Sequence, residues 1–415
     1  AGVAQDSAGN DNTVSNTLSR TYDNVAPTVT LSTSAPNPTN AAFTVTATFS
    51  ESVTGLTLGE ISVTGGTASS LSGSGTTYTF TVTPSAGTVS VQIPAGVAQD
   101  SAGNDNTVSN TLSRTYDNVA PTVTLSTSAP NPTNAAFTVT ATFSESVTGL
   151  TLGEISVTGG TASSLSGSGT TYTFTVTPSA GTVSVQIPAG VAQDSAGNDN
   201  TVSNTLSRTY DNVAPTVTLS TSAPNPTNAA FTVTATFSES VTGLTLGEIS
   251  VTGGTASSLS GSGTTYTFTV TPSAGTVSVQ IPAGVAQDSA GNDNTVSNTL
   301  SRTYDNVAPD TQIDSRPPTQ SSSSYATFNF SSPDDESATF QCKLDSGVWD
   351  ICTSPKSYAL SDGSHTFYVR AIDTLGNTDA TPAEYTWTID TTAPDTTITS
   401  NPTNPSSTSS ATFAF

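Results

Sequence analysis

Glu51, Glu60, Asp100, Asp105 and Asp117 are the only acidic residues between Ala26 and Val119, and the same five return as Glu145, Glu154, Asp194, Asp199 and Asp211 and as Glu239, Glu248, Asp288, Asp293 and Asp305. Their oxygens, with those of the neighbouring amides Asn24, Asn118, Asn212 and Asn306, are hard ligands, and the chemistry open to them is capture of a hard divalent cation such as Ca²⁺. Basic partners are scarce. The chain has 31 acidic against 8 basic residues and a net charge of −23, a balance that argues against nucleic acid and anionic membrane surfaces, since both need Lys and Arg to neutralise phosphate. Catalytic chemistry has little to work with. His365 is the only histidine, on a strand-like run, and reads as a sheet residue rather than a general base. No aromatic-rich cleft accompanies any carboxylate pair as a glycosidase would need, so the chain is not expected to be an enzyme. Lys occurs only at Lys343 and Lys356, which excludes Lys-to-Asn isopeptide cross-links inside the repeats and leaves Thr-to-Gln esters open.

Whether those carboxylates meet depends on the elements that carry them. The stretch TYDNVAP stands at Thr21, Thr115, Thr209 and Thr303, and the step from Ala26 to Ala120, Ala214 and Ala308 is 94 residues each time, with identical sequence in between. The Ala-Pro step fixes an extended, stiff connection. The expected organisation is a C-terminal repeat fragment at 1–25, three identical domains at 26–119, 120–213 and 214–307, a domain of a second type at 308–392, and the opening of another such domain at 393–415. Both ends look cut, so a longer natural polypeptide is expected, with any export signal or anchor outside this stretch. Within a repeat the apolar period is two: Val29 and Leu31; Phe43, Val45, Ala47 and Phe49; Tyr78, Phe80 and Val82; Val89, Val91 and Ile93. Turn residues such as Pro36-Asn37-Pro38 and Ala102-Gly103-Asn104 separate the runs. About seven antiparallel strands in each repeat make an all-β sandwich. Cys342 and Cys352 flank a turn at Asp345-Ser346-Gly347 and are expected to form a disulfide, which favours an oxidising, extracellular setting. The single sequon, Asn329-Phe330-Ser331, leaves glycosylation open.

The run FSESVTGLTLGEISVTGG, followed by TTYTFTVTP, GTVSVQIPAGVAQDSAGNDN and the D-x-x-A-P joint, resembles the bacterial immunoglobulin-like repeats of large surface adhesins and biofilm-associated proteins. FQCKLDSGVWDIC, DGSHTFYVRAID and YTWTID are similar to another bacterial Ig-like module of surface proteins. The resemblance implies tandem Ig-like sandwiches arranged as an extended rod, extracellular or attached to a cell surface, with calcium stiffening the joints. In such a sandwich the B–C and F–G loops lie at the pole facing the preceding domain. Glu51 should fall just after the second strand, and Asp100 and Asp105 in a long loop at the same end. The expected seams are Asp23, Asn24, Glu51, Asp100 and Asp105; Asp117, Asn118, Glu145, Asp194 and Asp199; and Asp211, Asn212, Glu239, Asp288 and Asp293. At the fourth joint Asp305 and Asn306 should meet Asp334, Asp335 or Glu336, and Asp373 in a D-x-x-G-N loop. The competing reading is that Asp100, Asn104 and Asp117 make Asx turns and cap loop backbone. Glu60 and Arg114 read as surface charges.

The function implied is a stalk or fibre, with neighbouring Ig-like domains of one longer chain as its partners. Two alternatives stand beside it. Domain 308–392 could bind glycan or protein through aromatics such as Trp349 or Tyr358, and copies of the chain could assemble into a filament by strand pairing.

Overall fold

The structure, a computed structural model, describes residues 4–415. It packs as two compact units, Ala1–Asn212 and Val213–Phe415. The first holds two repeats, and the second holds the third repeat and the 308–392 domain.

Alternating sequence becomes alternating burial. In the first repeat the strands are β1 (Val29–Ser32), β2 (Phe43–Val53), β3 (Ser62–Thr64), β4 (Gly66–Pro84), β5 (Thr88–Gln92) and β6 (Leu112–Thr115). Phe43, Val45, Ala47, Phe49 and Val53 of β2 are buried, whereas the Thr and Ser residues between them face water or its edge. Two antiparallel three-stranded sheets result, ordered β1-β2-β4 and β3-β5-β6, with Val29 opposite Phe49, Phe43 opposite Val82 and Val91 opposite Leu112. They enclose one core around Phe80, Val82, Val91 and Ile93. The Tyr78 hydroxyl, carried into this core, donates to the Val53 carbonyl at 2.8 Å, and its ring meets Phe49 edge-on at 5.8 Å.

The β4 range turns back on itself. A Cβ on Gly66 would lie 2.7 Å from the Thr83 carbonyl oxygen, and one on Gly73 would collide with that of Thr77. Extended chain at about 3.3 Å per residue could not bring such residues together. The range is therefore a hairpin, and six strand ranges supply seven strand runs. Gly73, at φ +109°, occupies a conformation and a space that exclude a side chain.

Side chains tie the two sheets together at the repeat's first strand. Asn110 accepts from the Leu31 N–H at 2.7 Å and donates to the Leu31 carbonyl at 3.1 Å. Of the expected surface charges, Glu60 is exposed and Arg114 half-buried, and both make hydrogen bonds. The Glu60 carboxylate accepts the N–H and hydroxyl of Thr57 at 2.9 and 3.0 Å, closing the short helix Leu58–Glu60. Arg114 Nε donates to the Ala35 carbonyl at 3.2 Å. The strands recur at Phe137–Val147 and Gly160–Pro178 in the second repeat and at Phe231–Val241 and Gly254–Pro272 in the third.

The 308–392 domain is a different sandwich. Strands Gln312–Ser315, Tyr325–Ser331 and Lys356–Ala359 face a five-stranded sheet that includes Thr339–Leu344, Asp350–Cys352, Gly363–Ile372 and Ala383–Ile389. Phe328, Phe367 and Trp387 fill its core. Cys342 and Cys352 are disulfide-bonded across paired strands, Cα to Cα 5.7 Å. Residues 4–25 and 393–415 carry no strand among the described residues and hold only the isolated bridges Gln5 to Asp11 and Ser400 to Ala414. Among the described residues no helix is long and apolar enough to cross a membrane.

Candidate metal centre

Each repeat places the five-residue loop Asp-Ser-Ala-Gly-Asn between β5 and β6. In the second repeat, Asp194 Oδ1 accepts the backbone N–H groups of Ala196, Gly197 and Asn198, each at 2.8 Å, and its Oδ2 accepts Asn198 Nδ2 at 2.8 Å. Gly197 sits at φ +93°, the left-handed region the turn requires. The geometry is local, because Asp6 makes the same contacts with Ala8 and Asn10 at 2.9 to 3.1 Å in a stretch without any strand. This is the Asx-turn behaviour of the competing reading. It does not exhaust the site.

Asp117, Glu145 and Asp194 each present a carboxylate oxygen within 4.8 Å of the other two, and Asp23, Glu51 and Asp100 do the same one repeat earlier. Asp117 belongs to the joint and the other two to the following repeat, so the trio draws on both. Asp194 is buried and Glu145 half-buried. Burial, with Asp117 and Asp194 as like-charged neighbours, raises the pKa of Glu145. Burial also works to raise that of Asp194, but the Asn198 amide and the loop N–H groups outweigh it and the net shift is downward. Among the described residues the only ion pair is His365 with Asp345, in another domain.

Several expected members lie elsewhere. Glu51 stands inside β2 instead of in a loop after it, because the pairing with β4 shifts register between Thr48 and Val53 and the strand runs on to Val53. Glu145 and Glu239 sit likewise within Phe137–Val147 and Phe231–Val241. Asp105 does not join its trio: Gln99 Nε2 donates to its Oδ1 at 2.8 Å, as Gln193 does to Asp199 and Gln287 to Asp293. Asn24, Asn118, Asn212 and Asn306 are exposed. Asp288 accepts from Ala290, Gly291 and Asn292 as Asp194 does from its own loop.

At the fourth joint, Asp305, Asp334, Asp335 and Asp373 line a cleft of about 290 Å³, while Glu336 is exposed and not part of its wall. Asp334 is committed to the Asp310 N–H and the Ser332 hydroxyl, and these contacts hold its pKa down. Asp335 accepts from Ser337, and Asp373 repeats the loop with Leu375 and Asn377.

The donor set fits a hard cation. Two oxygens bound to one Ca²⁺ at roughly 2.4 Å can be no more than about 4.8 Å apart, and each trio meets that limit. Three carboxylates supply part of a six- to eight-oxygen shell, leaving the remainder to water.

Missing from the sequence reading was a set of neutral contacts. Asn198 Nδ2 also donates to the Asp117 carbonyl at 3.0 Å, and Asn40 of the first repeat donates to Asn198 Oδ1 at 3.2 Å. The latter pair is 158 residues apart, and only the recurrence of both amides beside the joint could have pointed to it.

Among solved structures, the chain is similar to a tetra-tandem repeat in the extending region of a large adhesion protein, with 16% identity over 88% of this chain and 100% of that one, and a TM-score of 0.27. It is similar to a 1.5-MDa bacterial ice-binding adhesin at 16% identity, over 68% of this chain and 98% of that one, with a TM-score of 0.33. The fibronectin(III)-like modules of Clostridium thermocellum CbhA give 12% identity over 41% of this chain and 93% of that one, with a TM-score of 0.24. No curated protein matches it in sequence. The model of the bacterial Ig-like domain matches three times in succession, over residues 23–116, 117–210 and 211–304. These matches span more than half of the sequence, and the chain belongs to the bacterial Ig-like domain family.

Proposed function

We propose that the chain is a segment of an extracellular stalk or fibre, non-enzymatic, in which tandem Ig-like domains hold something at a distance from a bacterial surface and calcium stiffens the joints. The observation that carries this reading is the trio Asp117, Glu145 and Asp194, which takes carboxylates from both sides of a joint and leaves their charge unneutralised by any basic side chain. A divalent cation supplies the missing positive charge and ties the two sides together. Identical repeats add reach without adding chemistry. Asp305, Asp334, Asp335 and Asp373 are the corresponding group at the fourth joint.

Calcium titration followed by calorimetry, with small-angle scattering in calcium and in chelator, tests the reading. Uptake at roughly 10⁻⁴ to 10⁻³ M, as in extracellular modules, and a larger maximum dimension with calcium are expected. An absence of binding heat with an unchanged dimension would sink it.

A second reading has its own support. In the 308–392 domain Val348 and Ile351 are 74% and 84% exposed and border a cleft of about 310 Å³ that Lys356 and Tyr358 also line. Apolar side chains so placed suit a binding module for glycan or protein. A glycan array probed with the full chain, and with I351S as control, separates the two readings.

A further inference from the structure

The two joints that lie within one unit and follow a complete repeat close in the same way, although different kinds of domain follow them. In the first unit Asn198 Nδ2 donates to the Asp117 carbonyl at 3.0 Å and Asn40 Nδ2 donates to Asn198 Oδ1 at 3.2 Å. In the second, Asn377 Nδ2 donates to the Asp305 carbonyl at 3.2 Å, and Asn228 Nδ2 donates to Asn377 Oδ1 at 3.2 Å and to the Leu375 carbonyl at 2.8 Å. Asn198 comes from a repeat, whereas Asn377 comes from the disulfide-bonded domain, whose sheets are ordered differently. What the two share is the loop Asp-x-x-Gly-Asn.

Each half of the contact is ordered by its own domain. On the leading side, the Thr39 N–H donates to the Thr115 carbonyl at 2.9 Å and the Asp117 N–H donates to the Thr39 carbonyl at 3.0 Å, so Asn40 and the Asp117 carbonyl are fixed on one pole. On the following side, Asp194 holds both the backbone and the side chain of Asn198. Groups ordered beforehand lose little conformational entropy when they meet. The identical sequences supply an internal comparison. Ala102 is exposed where only residues 4–25 precede its repeat, whereas Ala196, the same residue of the same loop, is 3% exposed where a complete sandwich precedes it.

We propose that the pole carrying Asn40 and the Asp117 carbonyl is a docking socket for the Asp-x-x-Gly-Asn loop of whichever domain follows, and that the socket closes without a metal. The loop is then the coupling element that lets two kinds of sandwich be strung in one array. This rests on the stalk reading only in taking the joints as docked. It adds a neutral clasp that calcium reinforces but does not create.

The test uses the full chain with S85C and S179C as spin-label sites, both exposed positions in adjacent repeats, and distances measured by pulsed electron resonance in chelator and in calcium. The unsubstituted joint is expected to give a narrow distribution in chelator. N40A should raise the undocked fraction there about fivefold, the factor carried by about one net hydrogen bond, and N198A, which also loses the bond to the Asp117 carbonyl, should raise it further. The double substitution should add little to N198A alone, since N40A removes only a contact that N198A has already removed. N40A leaves the Asp194 loop intact, so its effect cannot come from a misfolded loop. If N40A and N198A stay as narrow as the unsubstituted joint in chelator, the clasp is overturned. If the unsubstituted joint is broad in chelator and narrows only with calcium, the clasp is overturned while calcium stiffening stands.

Discussion

At the scale of single residues, the joint opposes two carboxylates with opposite shifts. Glu145 titrates above its ordinary range because of burial and its neighbours Asp117 and Asp194, so in chelator its charge destabilises the folded joint, and protonation as pH falls through the raised value removes that penalty. Asp194 titrates below its range. Its contribution is present above the unfolded value and lost as pH falls through the folded one. E145Q is therefore expected to melt slightly higher than the unsubstituted chain in chelator at pH 7, with the difference vanishing in acid, and to lose part of the calcium-induced rise. Melting curves at several pH values check both signs. His365 offers a separate case: Asp345 at 2.9 Å and the Ser361 carbonyl at 3.0 Å raise its pKa. Its contribution is complete below the unfolded value near 6.5 and disappears as pH rises through the folded one, provided Asp345 stays ionised. Asp345 is 43% exposed, so H365Q should cost only about 0.5 kcal/mol at pH 6 and less at pH 8.

At the scale of elements, the β4 hairpin and the buried tyrosine that bonds the neighbouring strand make the sharpest predictions. Gly167 lies at φ +105°, and a Cβ there would meet the Thr171 carbonyl and the Tyr172 Cα, so G167A should destabilise the second repeat by about 1–3 kcal/mol. Y172F removes the 2.9 Å bond to the Val147 carbonyl but keeps the edge-on contact with Phe143, a loss of about 1 kcal/mol. Calorimetry of either variant has its own reference, because the first and third repeats remain unaltered and should melt as before. These elements were legible in the sequence because a period of two marks a half-buried strand at every residue, and Thr alternates with apolar residues without interruption from Phe43 to Phe49. The site was less legible. Asp100 and Asp117 could be placed from their turns, yet a register shift carried Glu51 into the strand, and a cross-loop amide took Asp105 away. Local pattern reports neither event, since each depends on which strand lies opposite. The Asn40 contact is a pairing between domains and leaves no mark in either one's periodicity.

At the scale of the whole molecule, four separate cores stand in one chain, and each can be perturbed alone. Reduction of Cys342–Cys352 should lower the stability of the 308–392 domain by about 2–3 kcal/mol through the loop it closes, leaving the repeats untouched; a shift in the repeats' melting would contradict the independence of the cores. The bridge that Asn110 makes to both sides of Leu31 has a consequence for an array under load. Tension entering a repeat at Pro27 reaches β1 first, and β1 can leave only by sliding along β2 while Asn110 still grips it. The bonds of that strand then fail together and not in sequence, so each repeat yields abruptly. Pulling single molecules should give a sawtooth of evenly spaced peaks from the three repeats, and N110A should move one of them to lower force.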